Sequence, residues 1–300
     1  MERFLILALV GLAAQLVDGS LGMGYGLTST TLLLTAGIAP AIASASVHMA
    51  EVVTTAASGI SHRKFGNVDK AMLRKLIVPG AIGAFAGATF LSNLTGDYVR
   101  LYISGFLLCL GLFILGRFLF LKDARKQKPK PPTNRFFIPL GFVGGFFDAS
   151  GGGGWGPIAT PALLSQKGMQ PRMVIGTVAA SEFAVATAAT IGFMISLGPD
   201  KINWLWAGAI MLGGVIAAPF AAWIVKSLPT RVLAVIVSGM LIMTNLNAVL
   251  NYTSISNSVE TAIFIALVII WIPLTGYVVR KEKRIAQKEK QEMNTVKRTS

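Results

Sequence analysis

One stretch occurs twice in this chain and limits what it can fold into. Residues 18–26 read D-G-S-L-G-M-G-Y-G, and residues 148–156 read D-A-S-G-G-G-G-W-G. Each sets an aspartate and a run of glycines inside apolar sequence of membrane grade, with Tyr25 or Trp155 just before the last glycine. Glycine at this density favours a broken helix with uncovered backbone amides. Lipid does not tolerate such backbone, so both breaks are expected to line a protein-buried cavity. They read as the two halves of one solute site.

Around them the composition is that of a multi-pass membrane protein. Of 300 residues, 53% are hydrophobic and 13% charged, and the mean hydropathy is +0.65. The net charge of +14 would suggest nucleic acid in a soluble chain, but its placement argues otherwise. Residues 62–75, 117–135 and the tail from 280 hold 20 of the 27 Lys and Arg, against five acids. Basic residues confined to short loops and a tail form the positive-inside pattern and put the C-terminus in the cytoplasm. No aromatics interleave with base-reading side chains, so nucleic acid is not an expected partner.

The single cysteine, Cys109, permits no intrachain disulfide or cysteine-based metal site, and is expected as a small buried hydrophobe in mid-span. Neither a cofactor nor a bound metal is expected. The N-terminal apolar run continues past Asp18 without a convincing cleavage site, so it is kept as mature sequence.

In chain order, residues 4–17 predict a helix about 21 Å long, too short for a hydrocarbon core of about 30 Å. A second short helix follows over 27–36, so a re-entrant hairpin is the economical reading, with two short tilted crossings as the alternative. Full spans are expected over 42–60, 76–91 and 99–119. Residues 122–135 form a basic linker in which Pro129, Pro131 and Pro132 stop any helix. The second half repeats the plan with a hairpin over 136–147 and 157–164, then spans over 173–197, 202–225 and 232–250. An extra span over 261–279 leads to a polar tail at 280–300. That tail is expected to be solvated or disordered and drawn to anionic lipid headgroups.

The halves correspond residue by residue. An offset of 130 pairs Asp18 with Asp148, Gly11 with Gly141, and Gly22, Gly24 and Gly26 with Gly152, Gly154 and Gly156. One residue later, an offset of 131 pairs Glu51 with Glu182. A hairpin plus three crossings turns the second copy upside down, as the charge map also requires. The expected fold is therefore all-α and polytopic, with two inverted repeats (1–121 and 136–250), one additional helix within 251–279 and a tail. Inverted repeats with broken helices meeting at the midplane are the architecture of secondary transporters.

Short helices beginning near Tyr25 and Trp155 point their N-terminal amides into the cavity, an arrangement that favours anions. Gly22, Gly24, Gly26, Gly152, Gly154 and Gly156 are thus candidate substrate contacts, and the competing reading is that these glycines only permit close helix packing. Asp18 and Asp148, beside the amides, are further candidate substrate contacts, expected as caps of those amides rather than as proton carriers. Tyr25 and Trp155 either wall the pocket or fill space behind the turns. Charge at membrane depth is costly and usually functional. Glu51 and Glu182 are therefore candidate proton carriers, or fixed acceptors, with His48 as a relay. Ser44, His48, Glu51, Thr55 and Ser58 make one polar stripe at helical spacing. Asn245 and Asn247 are expected to bond between helices.

The paired G-x-x-x-x-x-x-D-x-S-x-G-x-G-[YW]-G segments, the two halves and the basic linker resemble the sulfite exporter TauE/SafE family over about residues 4–280. The resemblance implies transport of small sulfur-containing anions such as sulfite or sulfonates, with the glycine-aspartate hairpins forming the path. Coupling to protons, membrane lipid as surroundings, and a homo-oligomer are compatible with that reading, and no P-loop is present to use ATP. Two other readings stand beside it. One is a cation carrier built on the carboxylates. The other is an intramembrane hydrolase using Ser150 with His48 as base, against which Ser20 in the matching position argues.

Overall fold

The computed structural model describes every residue except 1, 22–23, 95–97, 121–132, 165, 167–170, 202–203, 225–229, 253–254 and 300. Most of the expected linker at 122–135 therefore lies outside the described residues, as does Gly22. Among the described residues the secondary structure is helical throughout. In order the helices are α1 (Glu2–Leu21), α2 (Tyr25–Thr35), α3 (Pro40–Lys64), α4 (Lys70–Asn93), α5 (Tyr98–Phe120), α6 (Asn134–Gly151), α7 (Trp155–Leu164), α8 (Pro171–Leu197), α9 (Trp204–Ile224), α10 (Thr230–Leu250) and α11 (Asn257–Thr299).

Local chemistry sets several of these ends. Pro40 occupies the first turn of α3, where its missing N–H costs nothing. Asp69 caps α4, its Oδ1 accepting from the amides of Ala71 at 2.8 Å and Met72 at 3.0 Å. The sequence placed the ends of α1 and α6 too early. Both helices run on through their aspartates, and α6 stops only where Gly152 turns left-handed at φ 76°. Small residues in a last turn do not end a helix by themselves; a left-handed cap does. At 20 and 18 residues, α1 and α6 are about 30 and 27 Å long. Each hairpin thus has one long and one half-length limb.

Among the described residues, four helices are long and apolar enough to cross a membrane: Lys70–Asn93, Tyr98–Leu119, Met173–Leu197 and Asn257–Ile285. Helix α3 is not among them because its buried face carries Ser44, Ser46, His48, Glu51, Thr54 and Thr55. Exposed Leu9, Val78, Ile82, Ile195, Leu205 and Ile269 make the outside greasy, while the inside holds these polar groups. That inversion suits a chain whose solvent is lipid.

Small residues set the packing. Helix α4 lies on α6 and α8, α1 on α9, α3 on α8 and α9, and α5 on α10. Gly83 and Gly87 of α4 admit the backbone carbonyls of Phe142 and Phe146, where a Cβ would collide. Close backbone approach of this kind is how membrane helices associate.

One sequence expectation is overturned and another narrowed. Cys109 is exposed rather than buried. Helix α5 turns Ile103, Leu107, Leu110 and Ile114 inward, and Cys109 falls on the opposite side. Of the two readings of the tail, solvated or disordered, the first fits: α11 continues as one helix of 43 residues to Thr299, with Lys281, Lys283 and Arg284 exposed. Its Lys, Glu, Gln, Arg and Ala are strong helix formers, so the span propagates into the tail. Trp271 Nε1–H donates to Val235 O at 3.0 Å, and Arg231 pairs with Glu282 at 3.2 Å, tying α11 to α10.

Candidate functional site

The second glycine turn is closed by its own aspartate. Asp148 Oδ1 accepts from the amides of Gly154 at 2.7 Å and Trp155 at 2.9 Å, and its main-chain carbonyl accepts from Gly153 at 2.8 Å. In the first hairpin the matching contact is longer, Tyr25 N–H to Asp18 Oδ1 at 3.4 Å. Both carboxylates therefore cap the half-length helix that follows them. The capped amides of Tyr25, Gly154 and Trp155 are among those a bound oxyanion was expected to use. First-turn amides without a partner in their own helix remain at Gly26, Leu27 and Gly156.

The two turns touch. A Cβ on Gly26 would lie 2.8 Å from the Cα of Gly153 and 2.9 Å from Glu51 Oε1. On Gly153, at φ 135°, it would strike the backbone of Leu27 and Gly26. Thr30 Oγ1–H donates to Gly152 O, a further bond from one hairpin to the other. Close packing thus accounts for Gly26, Gly152 and Gly153, as the plainer sequence reading held.

Both aromatics are anchored away from this contact. The Trp155 ring is fully buried over Gly80 and Gly144, and its Nε1–H reaches Val178 O and Ser181 Oγ, each at 3.2 Å. Tyr25 donates its hydroxyl to Ile210 O at 3.3 Å, beside Gly214. Each ring fills space behind its turn and braces it against another helix.

Below the turns the polar face of α3 meets α6. His48 Nδ1 lies 2.8 Å from the carbonyl of Ser44, its Nε2 lies 3.2 Å from Asp148 Oδ2, and Glu51 Oε2 is 3.9 Å from Nε2. Ser44 Oγ–H donates to Ala149 O at 2.8 Å, a second tie between the two helices. A carbonyl only accepts, so Nδ1 carries a hydrogen, and in the neutral ring Nε2 is a bare acceptor facing carboxylate oxygens. His48 and Glu51 are 0% and 1% exposed, and neither Glu51 oxygen has a hydrogen-bond partner among the described residues. Besides His48, the carboxyls of Asp148, Glu182 and Asp18 act on Glu51 electrostatically. So many acids cannot all be ionised in a dry site without a cation.

Much of the candidate set is gathered here: His48, Glu51, Asp148, Gly26 and Gly152 lie together, with Glu182 and Asp18 in electrostatic reach. Ser58 is only half-buried and Asn247 is exposed. Asn245 does bond between helices, its Nδ2–H donating to Thr31 Oγ1 at 3.2 Å. Both ring nitrogens of His48 face other partners, while Ser150 Oγ stands 3.4 Å from the Tyr102 hydroxyl, so no Ser150–His48 pair forms. Sequence reasoning missed Thr30 and Arg100. Arg100 Nη2–H donates to Leu34 O at 2.8 Å, at the C-terminal end of α2. Its position at the head of a span was the one available signal.

The chain is 53% identical over 282 residues, 94% of each protein, to the Bacillus subtilis (strain 168) protein named "Probable membrane transporter protein YtnM". It is 25% identical over 264 residues, 80% of this chain and 95% of the other, to "Probable membrane transporter protein YunE" of the same organism. No solved structure matches it significantly. The sequence profile of the family described as sulfite exporter TauE/SafE matches residues 7–248. The chain belongs to the sulfite exporter TauE/SafE family of membrane transporters.

Proposed function

We propose that this membrane protein is a secondary transporter of a small sulfur-containing anion, such as sulfite or a sulfonate, coupled to protons and working by alternating access. The observation that carries the reading is the buried carboxyl pair Glu51 and Asp148, one from each half of the chain, beside the contact between the two glycine turns, with Asp18 and Glu182 in electrostatic reach. An anion cannot sit beside ionised Glu51, Asp148, Glu182 and Asp18, because Coulomb repulsion in so dry a site exceeds the few kcal/mol that binding supplies. Protons taken up by Glu51 and Glu182, relayed through His48, remove that charge and tie ion movement to solute movement.

An inverted repeat supplies the motion. Exchanging α1–α5 for α6–α10 keeps the main packed pairs, since α1 on α9 becomes α6 on α4, while α3 on α8 and α5 on α10 map onto themselves. Gly11 meets Ile210 as Gly141 meets Gly80, each pair displaced by 130 residues. In this reading Gly26 against Gly153 is the closed point of the path. Separation of the turns opens the amides of Gly26 and Gly156 to the solute, with Asp18, Gly24, Gly152 and Gly154 shaping the two turns and Tyr25 and Trp155 bracing them. The basic loops and the tail face the cytoplasm and anionic headgroups.

The test is flux into proteoliposomes across a panel of sulfite, thiosulfate, sulfonates and carboxylates. Saturable movement of sulfur oxyanions, absent from protein-free vesicles, supports the proposal. Flux of carboxylates alone, or of none, overturns it.

A further inference from the structure

The geometry points to a divalent transition-metal site formed by His48 Nε2, a Glu51 carboxylate oxygen and Asp148 Oδ2. The three donor atoms lie within 4.8 Å of one another, and all three side chains are buried. Imidazole with two carboxylates is a donor set suited to ions such as Mn2+, Co2+ or Zn2+.

Three features make this a built site rather than a group of acids. The first is the ring orientation. The hydrogen on Nδ1 goes to Ser44 O at 2.8 Å, which leaves the Nε2 lone pair aimed at Asp148 Oδ2, 3.2 Å away. Metal-binding histidines are held this way, by a hydrogen bond from the other ring nitrogen to a carbonyl. The second is Asp148, whose Oδ1 is fixed by the amides of Gly154 and Trp155 while Oδ2 is left for another partner.

The third is Glu51. Neither of its oxygens has a hydrogen-bond partner among the described residues, at 1% exposure. A proton on Nε2 would satisfy Asp148 but leave Glu51 without a donor, since 3.9 Å from Nε2 to Oε2 is beyond a hydrogen bond. One ion satisfies all three at once. Two donors about 2.1 Å from a shared ion stand up to about 4.2 Å apart, which covers the 3.2 and 3.9 Å separations. Rotation of the unpartnered Glu51 carboxylate closes the remaining one. Three protein ligands leave coordination positions open, next to the contact between Gly26 and Gly153.

The inference does not depend on the substrate being an anion. Its test is equilibrium dialysis of the purified, detergent-solubilised chain, stripped with chelator, against Mn2+, Co2+ and Zn2+ separately. Bound metal is counted per chain and thermal stability recorded alongside. One ion per chain is expected, with a raised melting temperature. Affinity should fall by more than about 100-fold, beyond the loss an outer ligand partner causes, in His48→Gln and in Glu51→Gln. Glu51→Gln sacrifices no hydrogen bond and so keeps the fold testable. His62→Gln, which alters the other histidine, should bind as the unaltered chain does. No binding by the unaltered chain overturns the site, and so does binding that survives both cluster substitutions, which marks a surface ion. Absent metal binding with pH-driven flux intact removes the metal site alone. Metal binding without pH-driven flux removes the proton reading instead.

Discussion

His48 Nε2 stands 3.2 Å from Asp148 Oδ2, joining two residues 100 positions apart on α3 and α6. The same carboxylate grips the start of α7 with its other oxygen. A cation bound between His48 and Asp148 would thus be linked through one side chain to the turn that meets Gly26. Asp148 is thus both the cap of a helix and the contact of that helix with His48.

Asp148→Ala and Asp148→Asn are expected to separate these roles. Alanine removes two charge-assisted hydrogen bonds and should lower stability by about 3–5 kcal/mol. Asparagine keeps an acceptor for the amides and offers an N–H to the bare Nε2. Its melting temperature in detergent should lie close to that of the unaltered chain, while pH-driven flux is lost.

Gly153→Ala should be far more damaging than Gly37→Ala. Both positions have positive φ, 135° and 83°, but only the first would drive a methyl into the backbone of Leu27 and Gly26, whereas Gly37 opens on empty space. A cost of about 1 kcal/mol is expected at Gly37, and of about 3 kcal/mol or more at Gly153. Thermal unfolding of the two proteins in the same detergent checks the difference.

Trp155→Phe removes the indole N–H that reaches Val178 O and Ser181 Oγ. A stability loss of about 1–2 kcal/mol is expected. The substrate KM should stay within about twofold, because the ring lies behind the turn. A KM raised tenfold with stability unchanged would put the ring in the solute path.

Thr30→Val exchanges the hydroxyl that bonds Gly152 O for a methyl of similar shape. It leaves that carbonyl short of a donor where the two hairpins meet, at a cost of about 1–2 kcal/mol. Thermal unfolding measures the cost. If separating the turns opens the path, the variant should also exchange solute faster than the unaltered chain at equal protein.

The starts of α2 and α7 were legible because a Gly-aromatic-Gly step after an apolar helix gives the backbone a clear place to turn. The polar stripe of α3 was legible too, since Ser44, His48, Glu51 and Thr55 recur at helical spacing and are all buried. The ends of α1 and α6 were not, because a capping aspartate reads the same inside a last turn as beyond it. Cys109 was misread, and the helical form of the tail was not foreseen. Hydrophobicity does not say which face of a span meets lipid, and polarity does not say whether a helix already under way will stop. The contacts of His48 with Asp148 and of Gly26 with Gly153 depend on how the halves dock, which no local pattern encodes.

The most direct measurement is accumulation of labelled sulfite or sulfonate in proteoliposomes under an imposed pH gradient, comparing the unaltered protein with Glu51→Gln and Glu182→Gln. The account predicts uphill accumulation by the unaltered protein and mere equilibration by either variant, with solute exchange retained. Undiminished accumulation by both variants, or loss of all solute binding as in a carrier of cations alone, would contradict it.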